Sequence, residues 1–169
     1  MRRIQPKGHD VMTEDRDRPD IVIFPPLASA IAPAAAIVLE WLVPLGLLPA
    51  PGAWAGLVPG LVLLLLAGGL AISGARAFKR AGTNVNPHQP ALKLVETGPY
   101  RFTRNPMYLG MVIFQIGLAL TFSLDWAIPI AVILWAVLHY GVVLREEEYL
   151  TAKFGGAYEG FLRRTRRWL

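Results

Sequence analysis

Four long apolar stretches dominate this sequence and restrict what it can fold into. A helix that crosses the hydrocarbon core of a bilayer needs about 20 predominantly apolar residues, with roughly 17 to 25 tolerated. Residues 27–48, 55–75, 107–124 and 126–144 all meet this length. A soluble chain of 169 residues has too little remaining sequence to cover four such helices. We therefore predict an all-α integral membrane protein with four transmembrane helices.

The positive charges lie on one side of these predicted spans. All 17 Lys and Arg residues precede the first stretch, separate the second from the third, or follow the fourth. The positive-inside rule makes that side cytoplasmic and places both termini there. We expect the protein in the inner membrane of a bacterium. Because the positive charge adjoins the bilayer, we expect lipid as a partner and no nucleic acid.

The rest of the composition limits the remaining possibilities. Residues 1–26 are predicted to be a polar cytoplasmic tail, since they mix acids with bases and lack the apolar core of a signal peptide. Residues 27–169 are predicted to form one membrane domain. The chain has no cysteine, which excludes disulfides and thiolate ligands, and we expect no metal site.

The first candidate site is the end of the longest connection, residues 78–104. Asn105 followed by Pro106, at the start of an apolar run, is typical of the N-cap and first position of a helix. The free N–H groups of a helix N-terminus attract anions, and Arg104 lies beside them. These groups are suited to hold a carboxylate. A capped membrane helix with an arginine reaching the headgroups explains the same residues.

The second candidate site follows the fourth predicted span, where Glu146, Glu147 and Glu148 are consecutive. Such carboxylates can bind an ammonium group or ribose hydroxyls. They are also typical of a solvated charge run that opens an interfacial amphipathic helix, which we predict from about residue 145 with a break at Gly155-Gly156. His139 lies seven residues before Glu146, on roughly the same face of an α-helix. An ionisable group within a span is a functional candidate, although a neutral histidine bonded to another helix is slightly favoured.

The two clusters together carry a wider pattern. It runs through Gly98-Pro99-Tyr100, then residues 104–110 (Arg-Asn-Pro-Met-Tyr-Leu-Gly), then Glu146-Glu147, Leu150, Phe154-Gly155 and Tyr158, with Gly82-Thr83 and Asn86-Pro87 upstream. This pattern resembles the isoprenylcysteine carboxyl methyltransferase and phospholipid methyltransferase superfamily. The resemblance covers roughly residues 70 to 169.

The resemblance implies a site for S-adenosylmethionine between the loop before the third span and the start of the last helix. By position, the cofactor residues are Leu92, Lys93, Leu94, Val95, Tyr100, Asn105, Pro106, Met107, Tyr108 and Glu146. Arg104 is added to this set because its positive charge lies beside the start of the third span, and it is expected to bind the cofactor's carboxylate. Tyr100 and Tyr108 are expected to pack on the adenine or the sulfonium, and Glu146 to bind the amino group or the ribose.

The implied activity is methyl transfer to a lipophilic acceptor: a lipid amine, a prenylated or other hydrophobic carboxylate or thiol, or a small lipophilic molecule. His139 and Glu147 are the candidates for catalytic assistance. Two departures from eukaryotic members matter. Asn105 stands where those members have a histidine. Val142 stands where they have a substrate-binding arginine, and this second departure argues against a prenylcysteine carboxylate as the substrate. A non-catalytic binding or assembly protein on the same scaffold remains the alternative, whereas four spans without a broken-helix pair disfavour a transporter.

Overall fold

The structure is a computed structural model that describes residues 17–169. This part of the chain is helical and contains no β-strand. The helices are α1 (Pro25–Leu42), α2 (Trp54–Ala81), α3 (Pro106–Phe122), α4 (Ala127–Leu138), α5 (Leu144–Phe154) and α6 (Gly156–Arg164). A 3₁₀ turn (Gly98–Arg101) precedes α3, and a π-helical segment (His139–Val143) joins α4 to α5.

Within residues 17–169, three helices are long and apolar enough to cross a membrane: α1, α2 and the continuous helix Ala127–Phe154. The third predicted span is the 17-residue α3, which is apolar but shorter. Apolar side chains cover the outside of the bundle, and Trp41 and Leu65 are 82% and 77% exposed. An apolar surface this extensive is suited to lipid rather than to water. The prediction of an all-α membrane protein is therefore confirmed.

The boundaries of the first two spans differ from the prediction. The helix α1 ends at Leu42 instead of reaching residue 48, because Pro44 has no N–H to donate and disfavours helical backbone at Val43. The link that follows is held by Asp125, whose carboxylate accepts hydrogen bonds from the backbone N–H groups of Leu47 (3.0 Å) and Leu48 (2.8 Å). The helix α2 continues past residue 75 to Ala81, where Gly82 adopts a left-handed conformation (φ 70°) that ends it.

The contact between α2 and α3 depends on glycines that let the two backbones approach closely. A Cβ atom on Gly110 would lie 3.0 Å from the carbonyl oxygen of Ala67, and one on Gly117 would lie 2.9 Å from Leu64 Cδ2. Helices in lipid associate largely through such close packing, since lipid is as apolar as their side chains. The start of α3 is thereby fixed against the end of α2.

The π-helical segment corrects a second expectation. In a continuous α-helix, His139 and Glu146 would lie on roughly the same face, because seven residues make almost two turns. The wider turn of residues 139–143 rotates α5 relative to α4. The two side chains therefore point into different surroundings, as their contacts below show.

The predicted break at Gly155-Gly156 is present, and it separates α5 from α6. Of the predicted polar tail, residues 1–26, the part up to residue 16 lies outside the described residues. From Asp17 onward the chain packs against the bundle. The N–H of Val22 donates to the carbonyl of Gly141 (2.9 Å), and the Asp17 carboxylate accepts hydrogen bonds from Lys153 Nζ (2.6 and 2.7 Å).

Candidate functional site

A cleft opens at the end of the bundle where α2 ends and α3 begins, and it encloses about 830 Å³ of space that is partly open to solvent. Its walls come from the loop after α2, the 3₁₀ turn, the first turn of α3, and the helices α5 and α6. Among the predicted cofactor residues, those that line it are Lys93, Leu94, Val95, Tyr100, Arg104, Asn105, Met107, Tyr108 and Glu146. Leu92 and Pro106 do not line it: Leu92 is exposed, and Pro106 is buried at the start of α3.

The loop after α2 is shaped by its own side chains. The hydroxyl oxygen of Thr83 accepts hydrogen bonds from the N–H groups of Leu92 (2.9 Å) and Lys93 (3.3 Å). The N–H of Ala91 donates to the hydroxyl of Tyr149 on α5 (3.1 Å). The loop is therefore folded back on itself and attached to α5, which makes it a wall of the cleft.

The two sequence clusters meet at a hydrogen bond between α3 and α5. The hydroxyl of Tyr108 donates to Glu146 Oε1 at 2.6 Å. This distance lies at the short end of the range for hydrogen bonds between two oxygens. Residues 38 positions apart in the chain thus close one side of the cleft together.

Two further tyrosines form the apolar part of the wall. Tyr100 is buried and packs against Phe78, with 5.3 Å between ring centroids, and Tyr158 is buried beside Phe161. Burial raises the pKa of both phenols, and the negative charge of Glu146 adds to this effect at Tyr100. Both hydroxyls therefore stay protonated at neutral pH.

Glu147 is the centre of an ion-pair group. Its Oε1 accepts a hydrogen bond from Arg167 Nε (2.9 Å), and its Oε2 accepts one from Arg167 Nη2 (2.8 Å). Arg104 Nη1 lies 3.4 Å from Oε1. The hydrogen bonds from Arg167 to this carboxylate raise the pKa of the Arg167 guanidinium. Arg104 Nε is buried and has no partner among residues 17–169. Glu147 lines the cleft with both of its oxygens bound by arginine, and its part in catalysis stays a prediction.

Asn105 occupies the predicted N-cap position of α3 but does not cap it with its side chain. Its Nδ2 instead donates to the carbonyl of Arg167 (3.0 Å), while its N–H donates to the hydroxyl of Thr103 (3.3 Å). Pro106 is the first helical residue, as predicted. The N–H groups of the first turn have no acceptor within the helix, so the start of α3 remains favourable for an anion.

His139 lies away from the cleft. Its Nδ1 accepts a hydrogen bond from Trp168 Nε1 (3.2 Å), and its ring stacks on Trp135 with 5.2 Å between centroids and 7° between planes. The expected alternative was a histidine bonded to another helix, whereas its partner Trp168 lies in the segment after α6. A role of His139 in catalysis stays a prediction that these contacts do not favour.

Several residues that line the cleft were not assigned a role from the sequence. Leu150 and Tyr158 belong to the shared pattern, and Leu150 lies one helical turn beyond Glu146, so helical spacing could have identified it. Tyr149 and Pro19 also line the cleft. Pro19 lies in a segment assigned to the tail, where no periodicity indicates a contact with α5.

Together, these features define an all-helical integral membrane protein with a cleft of tyrosines and charged groups at one end of its apolar helices. A comparison with known protein families matches residues 55–157, more than half of the chain, to the phospholipid methyltransferase family. The chain belongs to this family, and it is a membrane methyltransferase. No curated protein matches the chain.

Proposed function

We propose that this protein transfers a methyl group from S-adenosylmethionine to a lipophilic acceptor dissolved in the membrane, and that the cleft holds the cofactor. The observation that carries the proposal is the Tyr108–Glu146 hydrogen bond, which joins the two sequence clusters into one cleft. When bound, S-adenosylmethionine supplies an electrophilic methyl group on a positively charged sulfur.

The residues of the cleft fit such a ligand. Arg104 and the start of α3 suit a carboxylate, and the buried Arg104 Nε lacks an acceptor that a bound carboxylate would supply. Glu146 suits an ammonium group or ribose hydroxyls. The rings of Tyr100 and Tyr108 offer aromatic faces to adenine and to a sulfonium cation, which is attracted to aromatic faces as other cations are.

The chain's own contribution to catalysis is orientation and the exclusion of water. Holding two reactants in a reactive geometry provides a large part of the rate enhancement in displacement reactions. We infer that neither predicted assistant takes the proton of the acceptor, because Glu147 is bound by two arginines and His139 does not line the cleft. The acceptor therefore has to present an unprotonated nucleophile, such as a carboxylate, a thiolate or a neutral amine.

The position of Val142 supports the argument against a prenylcysteine carboxylate. Val142 is fully buried, in a core cluster with Ala32, Tyr108 and Leu138. An apolar side chain in an apolar cluster offers no positive charge to a carboxylate substrate. A lipid amine or a neutral lipophilic molecule with an ionisable nucleophile fits the site better.

The orientation in the membrane completes the proposal. The third span is short but within the tolerated length, so all four apolar segments cross the bilayer. The end that carries the cleft faces the cytoplasm of a bacterium, since the Lys and Arg residues of the chain cluster at this end. The cofactor then enters from the cytosol and the acceptor from the bilayer.

The first test is the binding of S-adenosylhomocysteine to the detergent-solubilised protein by calorimetry. Wild-type protein is expected to bind, and Glu146→Gln is expected to weaken binding by roughly tenfold through the loss of one charged interaction. Glu148→Gln is the matched control, because Glu148 is the exposed neighbour and does not line the cleft. Equal binding by all three proteins would contradict the assignment of the cleft.

The second test is transfer of a tritiated methyl group from S-adenosylmethionine into a total lipid extract, followed by identification of the labelled product. A labelled lipid that is absent with Glu146→Gln supports the enzyme and names the acceptor class. Binding without transfer into any lipid or lipophilic fraction would favour the alternative, a non-catalytic protein that retains the scaffold.

A further inference from the structure

The segment Thr165–Trp168 crosses the start of α3 and is bonded to it through its backbone. The N–H of Arg104 donates to the carbonyl of Arg166 (2.9 Å), and the carbonyl of Arg167 accepts hydrogen bonds from Asn105 Nδ2 (3.0 Å) and the Thr103 hydroxyl (3.2 Å). These bonds do not involve the side chains of Arg166 or Arg167. The path of the segment is therefore fixed independently of what the Arg167 side chain does.

The Arg167 side chain forms a two-point pair with Glu147, which lies between Arg167 and Arg104. The side chains of Glu147 and Arg104 are only 13% and 11% exposed. A guanidinium fork fixes the plane of the carboxylate it binds, because its two parallel N–H groups match the two oxygens. Arg104 can then approach Glu147 only by a single nitrogen, at 3.4 Å, and its Nε stays unpaired.

We propose that Arg167 is a positioning residue that occupies Glu147 and so keeps Arg104 oriented toward the carboxylate of the ligand in the cleft. This inference rests on the proposed function, since it needs a ligand that carries a carboxylate. Without the Arg167 guanidinium, both oxygens of Glu147 are open to Arg104. Arg104 then forms the two-point pair itself and turns its Nε away from the ligand.

The test compares two nucleosides that differ in the group that Arg104 would bind. S-Adenosylhomocysteine carries the amino-acid carboxylate and ammonium groups, whereas 5′-methylthioadenosine has the same nucleoside and thioether but a methyl group in place of the amino-acid end. The side chain of Glu146 is the same in all the variants compared, so a loss that is confined to S-adenosylhomocysteine reports on the carboxylate. Calorimetry in detergent is expected to show that Arg167→Ala weakens S-adenosylhomocysteine by roughly tenfold, the effect of one charge-assisted hydrogen bond. Binding of 5′-methylthioadenosine is expected to stay within about twofold, by the same reasoning.

Arg166→Ala is the matched control, because it removes the same charge from the preceding residue. The Arg166 side chain is exposed, and the hydrogen bond from the Arg104 N–H to the Arg166 carbonyl remains in the variant. It is expected to change neither affinity. In a Glu147→Gln background the additional effect of Arg167→Ala is expected to vanish, since the two side chains act through one pair. If Arg167→Ala does not fold, Arg167→Lys provides the same comparison, and a lysine without the fork is expected to give a smaller loss for S-adenosylhomocysteine alone.

The outcomes separate the two proposals. Equal weakening of both nucleosides by Arg167→Ala, or the same loss in Arg166→Ala, would mean that the segment only supports the fold, and would overturn the role of Arg167 while leaving the cofactor site intact. Wild-type protein that binds neither nucleoside would remove the cofactor site, and this inference with it.

Discussion

The contact between α2 and α3 makes a quantitative prediction at Gly60. A Cβ atom at this position would collide with the Thr121 hydroxyl and lie 2.7 Å from the Thr121 backbone nitrogen and 3.0 Å from the Gly117 carbonyl oxygen. Two of these three atoms belong to the backbone of α3, so rotation of a side chain cannot relieve the contact. In Gly60→Ala the helices have to move apart along the interface that fixes the start of α3.

The size of the effect follows from the packing. Forcing extra volume into a well-packed interface costs about 1–3 kcal/mol. Gly69 lies on the same helix, but no atom of residues 17–169 lies within 4 Å of its added Cβ. Gly69→Ala is expected to stabilise the helix by roughly 0.5–1 kcal/mol, because alanine loses less backbone entropy than glycine. The two variants make the same chemical change, and their stabilities should differ by about 1.5–4 kcal/mol.

Reversible unfolding in mixed micelles, followed by tryptophan fluorescence as the fraction of denaturing detergent rises, measures this difference. The midpoint for Gly60→Ala should fall below that of the wild type, and the midpoint for Gly69→Ala should lie at or above it. A Gly60→Ala protein as stable as the wild type would show that α2 and α3 do not approach this closely.

Two further predictions concern polar groups away from the cleft. Both polar atoms of the Gln115 side chain are buried without a partner among residues 17–169, and an unpaired buried amide costs roughly 1–3 kcal/mol. Gln115→Leu should therefore raise the unfolding midpoint in the same assay. A lower midpoint would reveal an additional partner for the amide. The hydrogen bond from Lys153 keeps the pKa of the Asp17 carboxyl below its ordinary value of 3.8. The stabilisation from the Asp17–Lys153 contact is therefore complete above pH 3.8 and is lost as the pH falls through the lowered pKa. In the wild type, the Val22 amide should be protected from hydrogen exchange at neutral pH and lose protection in that acidic window. In Asp17→Asn, protection should be weaker at neutral pH, with no further loss in acid. An unchanged acid profile in the variant would show that the Asp17–Lys153 contact does not hold this segment on the bundle.

The apolar stretches were predictable because they are long and contain only one charged residue, Glu40, but the ends of the helices were less so. Hydrophobicity alone places residues 43–48 in the first span, whereas the backbone chemistry of Pro44 ends the helix at Leu42. In α2 the opposite error occurred. The charged residues Arg76, Lys79 and Arg80 marked the end of the apolar run, yet the helix continues through them, because long cationic side chains tolerate an interfacial helix.

The meeting of the two candidate clusters followed from the resemblance and from the arrangement of the spans, and the structure does bring them together. The partner of Asn105 could not be predicted in this way. Its hydrogen bond reaches Arg167, 62 residues away, through a segment that folds back after α6. No periodic pattern specifies such a return. The displacement of His139 was equally hidden, since a π-helical turn leaves no reliable trace in a single sequence.

The three consecutive acids of α5 show why a cluster in the sequence is not a cluster in space. Successive residues of a helix point about 100° apart, so Glu146, Glu147 and Glu148 face three directions. Glu146 faces the cleft and Tyr108, Glu147 faces two arginines, and Glu148 faces solvent. The same chemical change at each position should therefore act on different properties: the first on ligand binding directly, the second on the orientation of Arg104, and the third on neither. This division follows from helix geometry and from the contacts of each side chain.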